Sequence, residues 1–191
     1  YAENVVVESK SLTFDAVEVG SVVLTGGLDA PTFLVYYTGG AGVVLKGLVV
    51  SGGRGYAPDG GGSLGAMGGG VSVLASSIGL SNTVLVGNSA GLGGGLFAYG
   101  SENIFMQNVG ILGNEATALG GGLAAIGSTL HPRSNMTLTN VTIADNLTDG
   151  YGGALCASGS NVELSGVIVA SNGETAACQL SSANQPAVYV E

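Results

Sequence analysis

Apolar residues recur along the chain as a ladder with fixed spacing. Aligned on Gly27, Gly53, Asn88, Asn114, Asn146 and Asn172, the chain advances by 26, 35, 26, 32 and 26 residues. Ten positions before these anchors stand Val17, Val43, Ile78, Ile104, Met136 and Val162; eight before stand Val19, Leu45, Leu80, Met106, Leu138 and Leu164. Five before stand Val22, Leu48, Thr83, Val109, Val141 and Val167; three before stand Leu24, Val50, Leu85, Ile111, Ile143 and Val169. Thr83 is the only polar residue in these columns. A unit with this period cannot bury its apolar side alone, so successive units must stack.

Within each unit the inward residues alternate in two pairs, which is the period of a strand. The three-residue gap between the pairs forces a bend. A third short strand follows the anchor, as Val71-x-Val73, Leu96-x-Ala98, Leu123-x-Ala125 and Leu155-x-Ala157, each preceded by glycines. Three short strands and three bends make one turn of a coil, and stacked coils place equivalent strands in parallel. The spacing therefore predicts an all-β parallel β-helix over residues 1–191 as a single domain. It has about seven coils of about 26 residues, with insertions at 52–70 and 129–134. At roughly 4.8 Å per rung this is a rod of about 30–35 Å. The 36 glycines suit tight corners. A disordered glycine-rich chain would not hold apolar columns in register. Val5 and Val7 precede the first complete coil, and Val188 and Val190 sit where another would begin. The open ends lead to the expectation of a segment of a larger protein, capped by flanking domains or other chains.

Composition narrows the partners. Four basic against thirteen acidic residues give a net charge of −9, which argues against nucleic acid and anionic membrane as partners. No apolar run reaches the length of a membrane span. Three glycosylation sequons begin at Asn135, Asn140 and Asn146, the last of them an anchor expected to point inward. Cys156 and Cys178 lie near equivalent turns of adjacent coils, a few residues apart in strict register. They read either as a disulfide suited to an oxidising compartment or as two free thiols.

Candidate chemistry is sparse. Asn88, Asn114, Asn146 and Asn172 read as a structural ladder bonding each other and the turn backbone. The outward columns, including Phe105/Gln107, Thr137/Thr139 and Glu163/Ser165, hold no neighbouring carboxylate pair of the kind sugar cleavage uses. Asp145 and Asp149 share a turn near Glu115 and Glu174 and read as a solvated acidic turn, not a metal site. His131 lies in an inserted loop with no nucleophile beside it. Thr137 and Thr139 form one pair of the kind a flat ice-binding face repeats, without equivalents on either side. Phe97, Tyr99 and Phe105 are expected outward, forming an apolar contact patch for a partner or glycan.

Gly152-Gly153-Ala154-Leu155, with Gly93-Gly94-Gly95-Leu96 and Gly120-Gly121-Gly122-Leu123, resembles the GGA-aliphatic tetrapeptide of polymorphic outer-membrane adhesins. Ile111-Leu112-Gly113-Asn114 and Ile143-Ala144-Asp145-Asn146 are similar to its companion motif, with aliphatic residues where that family places Phe. The pattern also resembles right-handed β-helix proteins of the pectate-lyase-like superfamily. The resemblance implies a right-handed coil on a cell surface or in an extracellular assembly, and it carries over no catalytic residue. The expectation is a non-catalytic structural or adhesive module of a larger cell-surface or filament-forming glycoprotein, with no cofactor. A carbohydrate-binding or carbohydrate-cleaving domain is the alternative, and an ice-binding protein a minor one.

Overall fold

The computed structural model describes residues 1–180 except 28, 56–65, 102, 128–133 and 174–177. The inserted loop with His131, most of the insertion after Gly52, Glu174, Val188 and Val190 therefore lie outside the described residues. The described residues form a parallel β-solenoid whose strands fall into eleven-, six- and three-stranded sheets. One face stacks Val22–Thr25, Leu48–Ser51, Val84–Val86, Gly110–Leu112, Thr142–Ala144 and Ile168–Ala170. These six rungs make five coil-to-coil steps, so the described residues form about five turns rather than the seven expected.

On this middle face the register follows the sequence ladder: Leu24 faces Val50, Val50 faces Leu85, Leu85 faces Ile111, Ile111 faces Ile143, and Ile143 faces Val169. The first face stacks Ile78-x-Leu80, Ile104-x-Met106, Met136-x-Leu138 and Val162-x-Leu164 in the same way. The third face stacks Val71-x-Val73, Leu96-x-Ala98, Leu123-x-Ala125 and Leu155-x-Ala157. Side chains from the three faces fill one continuous core. Thr83 is fully buried in it, and its hydroxyl donates to the Ser81 and Leu45 carbonyls at 2.9 and 3.3 Å. The hydroxyl is thus satisfied where an apolar side chain would need no partner.

The first coil departs from the ladder. Val43 and Leu45 are faced by Leu12 and Phe14, not by Val17 and Val19. Val17 is fully exposed and Val19 largely so. Leu12-x-Phe14 has the same spacing and more apolar bulk, and Phe14 packs edge-on against Phe33 with centroids 5.3 Å apart. The loop that follows is tied back by Ala16 N–H and Gly20 N–H donating to the Lys46 and Gly47 carbonyls.

A second, smaller apolar cluster lies outside the coil. Leu92 and Leu119, which follow the Asn bends, fold back with Met67 over the outer side of the third face and cover Phe97 and Ala124. The glycine corners make this fold-back sterically feasible. Gly120 sits at φ 64°, where a Cβ would also overlap the Leu123 carbonyl.

Candidate functional site

The three bends each carry a polar column. At the bend after the middle face, Asn88, Asn114 and Asn146 are buried and bond in series. The Asn114 Oδ1 accepts from both the backbone N–H and Nδ2 of Asn88 at 3.0 Å. The Asn146 Oδ1 accepts the same pair from Asn114, and the Asn172 Oδ1 the same pair from Asn146. Each remaining Nδ2 hydrogen goes to a backbone carbonyl, those of Val50, Leu85, Ile111 and Ile143 in turn. Where the anchor is glycine, a neighbour supplies the oxygen: Gly53 N–H donates to the Asn88 Oδ1, and Gly27 N–H to the Asn4 Oδ1.

Two further columns went unrecognised in the sequence. At the bend after the first face, Asn82, Asn108 and Asn140 sit at φ 50–55°. Their amides link at 3.3 and 3.4 Å on the surface. The signal was present as Asn in register with Gly47 and Gly166, which occupy the same bend with positive φ. At the bend before the first face stand Ser76, Ser101, Ser134 and Ser160. Ser76 and Ser134 Oγ accept backbone N–H groups from the neighbouring coil, Thr38 and Ser101, at 3.1 Å. The long step from Ser101 to Ser134 arises because the 129–134 insertion falls at this bend.

The aromatic patch expected at Phe97, Tyr99 and Phe105 does not form. Phe97 is only 1% exposed, under the Leu92 cover, and Tyr99 is half-buried beside it. Phe105 is 55% exposed but lies on a different face. Strand alternation places Phe97 on the outer side of the third face, but the glycine-rich returns pack over that side and bury it.

Asn135 is exposed on its strand and accepts from the Asn161 Nδ2 at 2.8 Å, and Asn140 is exposed at its bend. Asn146 is fully buried, with both Nδ2 hydrogens engaged. Cys156 is fully buried, and the register places Cys178 directly opposite it. The offset expected from a strict 26-residue step is corrected, because the return to Cys178 takes 22 residues. No free cysteine occurs among the described residues. Among them, no cluster of three metal-ligating side chains is present around Asp145 or elsewhere. No described helix is long and apolar enough to cross a membrane.

A shallow groove of about 300 Å³ lies on the outer side of the first face, between Val44, Phe105 and Thr137 and over Gly79. Ser81, Gln107 and Thr139 run along its second column. The Lys46–Asp15 ion pair, at 3.0 Å, lies one rung beyond Ser81, and Glu163 lies one rung beyond Thr137.

These features define a parallel β-solenoid held by polar ladders at its bends. The model of the right-handed β-helix region matches residues 30–190, and the chain belongs to that family. Comparison with curated proteins and with solved structures gives no match.

Proposed function

We propose that the chain is a non-catalytic extracellular module, a stiff structural or adhesive segment of a larger cell-surface or filament-forming glycoprotein. The observation that carries this reading is how the repeat uses its polar residues. The buried Asn column bonds coil to coil through three successive amide pairs, and the Ser column adds further inter-coil bonds. A polar group committed in this way stiffens a rod and is withdrawn from chemistry at the surface. The exposed sequon residues Asn135 and Asn140 are the proposed glycan carriers.

A Cys156–Cys178 disulfide belongs to the same reading. Parallel neighbours in register stand about 4.8 Å apart, within the Cα range a disulfide spans. Such a bond is retained in an oxidising compartment.

The test is the mass of the polypeptide in its source material, with peptide maps taken before and after deglycosylation and reduction. A glycosylated species well above 18.6 kDa, with a Cys156–Cys178 linked peptide, is expected. Polysaccharide cleavage that disappears when an acidic residue is substituted would overturn the non-catalytic reading.

A further inference from the structure

We propose that the outer side of the middle face is a self-association surface, on which a second copy of this chain docks face to face. The proposal goes beyond the module reading above and stands or falls separately from it. The strands of this face are apolar on both sides. Inward, Leu24, Val50, Leu85, Ile111 and Ile143 join the core. Outward, one column runs Val23–Val49–Val84–Gly110–Thr142–Ile168. Beside it Val86, Leu112, Ala144 and Ala170 follow one another, and at the near end Thr25 and Ser51 pair their hydroxyls at 3.4 Å. Neither column holds a charged residue. Parallel strands read as continuous apolar runs where a sheet is covered on both sides. The third face obeys that rule, since its outward Phe97 and Ala124 lie under Leu92 and Leu119. The middle face is likewise apolar outward and, among the described elements, has no cover. Val23 is 43% and Ile168 61% exposed, and Val84, Val86 and Leu112 are partly exposed.

Charge and size select the occupant. Each copy carries −9, but none of it on this strip, so two copies can meet here without bringing acidic groups into contact. A charged ligand would find nothing to pair with. The four inner strands of the sheet are bonded on both edges, so the strip offers side chains and no free strand edge for an extended peptide. Sheets pack face to face about 10 Å apart, and a two-fold axis sets each apolar column against its own copy. One rim is polar, where the surface amides of Asn82, Asn108 and Asn140 run beside the strip. Six rungs at about 4.8 Å, with strands of three or four residues at about 3.3 Å each, make a strip of about 300–400 Å² per copy. Such a pairing falls below the area of a permanent dimer, so the association is weak and concentration-dependent. Asn140 stands on the rim and Asn135 on the first face, so a glycan on Asn135 leaves the strip open.

The test is sedimentation equilibrium of the full chain, made without N-glycans, from micromolar to millimolar concentration at low and at high salt. A reversible monomer–dimer equilibrium is expected, tightened by salt because added ions screen the acidic self-repulsion of the two copies. Leu112→Glu puts an unpaired carboxylate into the contact from each copy and is expected to weaken the dimer about a hundredfold or more. Gln107→Glu adds the same charge to the exposed first face and is expected to change the dimer by no more than about threefold. Both side chains point outward, so both variants should keep the native thermal transition. If Leu112→Glu does not, Ile168→Glu at the exposed end of the strip replaces it, with an expected weakening of about tenfold or more. A chain that stays monomeric throughout, a dimer loosened by salt, or a dimer that Leu112→Glu leaves intact or that Gln107→Glu weakens equally would overturn the proposal. Capture of a monomeric chain by neutral-lipid vesicles, lost in Leu112→Glu, would overturn it too, by making lipid the occupant of the strip. Those outcomes leave the module reading standing, because that reading is decided by mass, peptide maps and cleavage assays.

Discussion

The Asn114 side chain takes part in four hydrogen bonds, two accepted from Asn88 and two donated, to the Leu85 carbonyl and the Asn146 Oδ1. Asn114→Ala would leave the Asn88 N–H and the Leu85 carbonyl buried without these partners. Each such group costs about 1–3 kcal/mol, so a loss of about 3 kcal/mol or more is expected in urea unfolding. The surface column provides the control. Asn108 makes longer, exposed bonds and sits at φ 55°, a conformation glycine adopts freely. Asn108→Gly should therefore change stability by no more than about 1 kcal/mol in the same measurement. Equal losses in the two variants would contradict the assignment of the buried column as the main polar support. The same burial bears on modification. In a eukaryotic secretory host, site mapping should find glycan on Asn135 or Asn140 and none on Asn146 in the folded protein, whose Nδ2 has no hydrogen left to replace without breaking the column. An occupied Asn146 in a molecule with a native thermal transition would contradict that placement.

At the scale of the strand, the inward columns were legible because period two and a constant step leave few alternative registers. Leu85, Ile111 and Ile143 face each other as the spacing predicts. The first coil was misread because two pairs of equal spacing compete for one slot, and the bulkier Leu12-x-Phe14 takes it from Val17-x-Val19. The outer cluster was not legible at all. Leu92 and Leu119 stand among glycines without periodicity, and only the three-dimensional return over the third face reveals their target. The groove of the first face was half legible: Gly79 and Phe105 were visible as column neighbours, but the recess between Phe105 and Val44 follows only from the three-dimensional stacking. The outer cluster makes its own prediction. Phe97 is buried like a core residue, so Phe97→Ala should cost about 3–5 kcal/mol in thermal or urea unfolding, as core aromatic truncations do. A loss below about 1 kcal/mol would mean that the Leu92 cover contributes little and that the site behaves as a surface position.

For the whole molecule, stacking makes stability a near-neighbour property. Each coil contacts only the coils beside it, so total stability approximates a sum of coil and interface contributions. Burial is graded accordingly. Leu85 and Ile111 in the middle rungs are fully buried, whereas Val22 at one end and Val169 at the other remain partly exposed. The Asn column adds to the gradient, since Asn114 is bonded by an anchor amide on both sides and Asn172 by one among the described residues. Local openings should therefore begin at the outer described coils and reach the centre last. Native-state hydrogen exchange should show the slowest amides among 84–86 and 110–112, with protection falling toward 22–25 and 168–170. Acidic self-repulsion acts on every coil, so added salt should slow exchange broadly without reversing the order. Uniform protection from the first rung to the last would indicate a single all-or-none unit, whose coils are coupled more strongly than nearest-neighbour stacking allows.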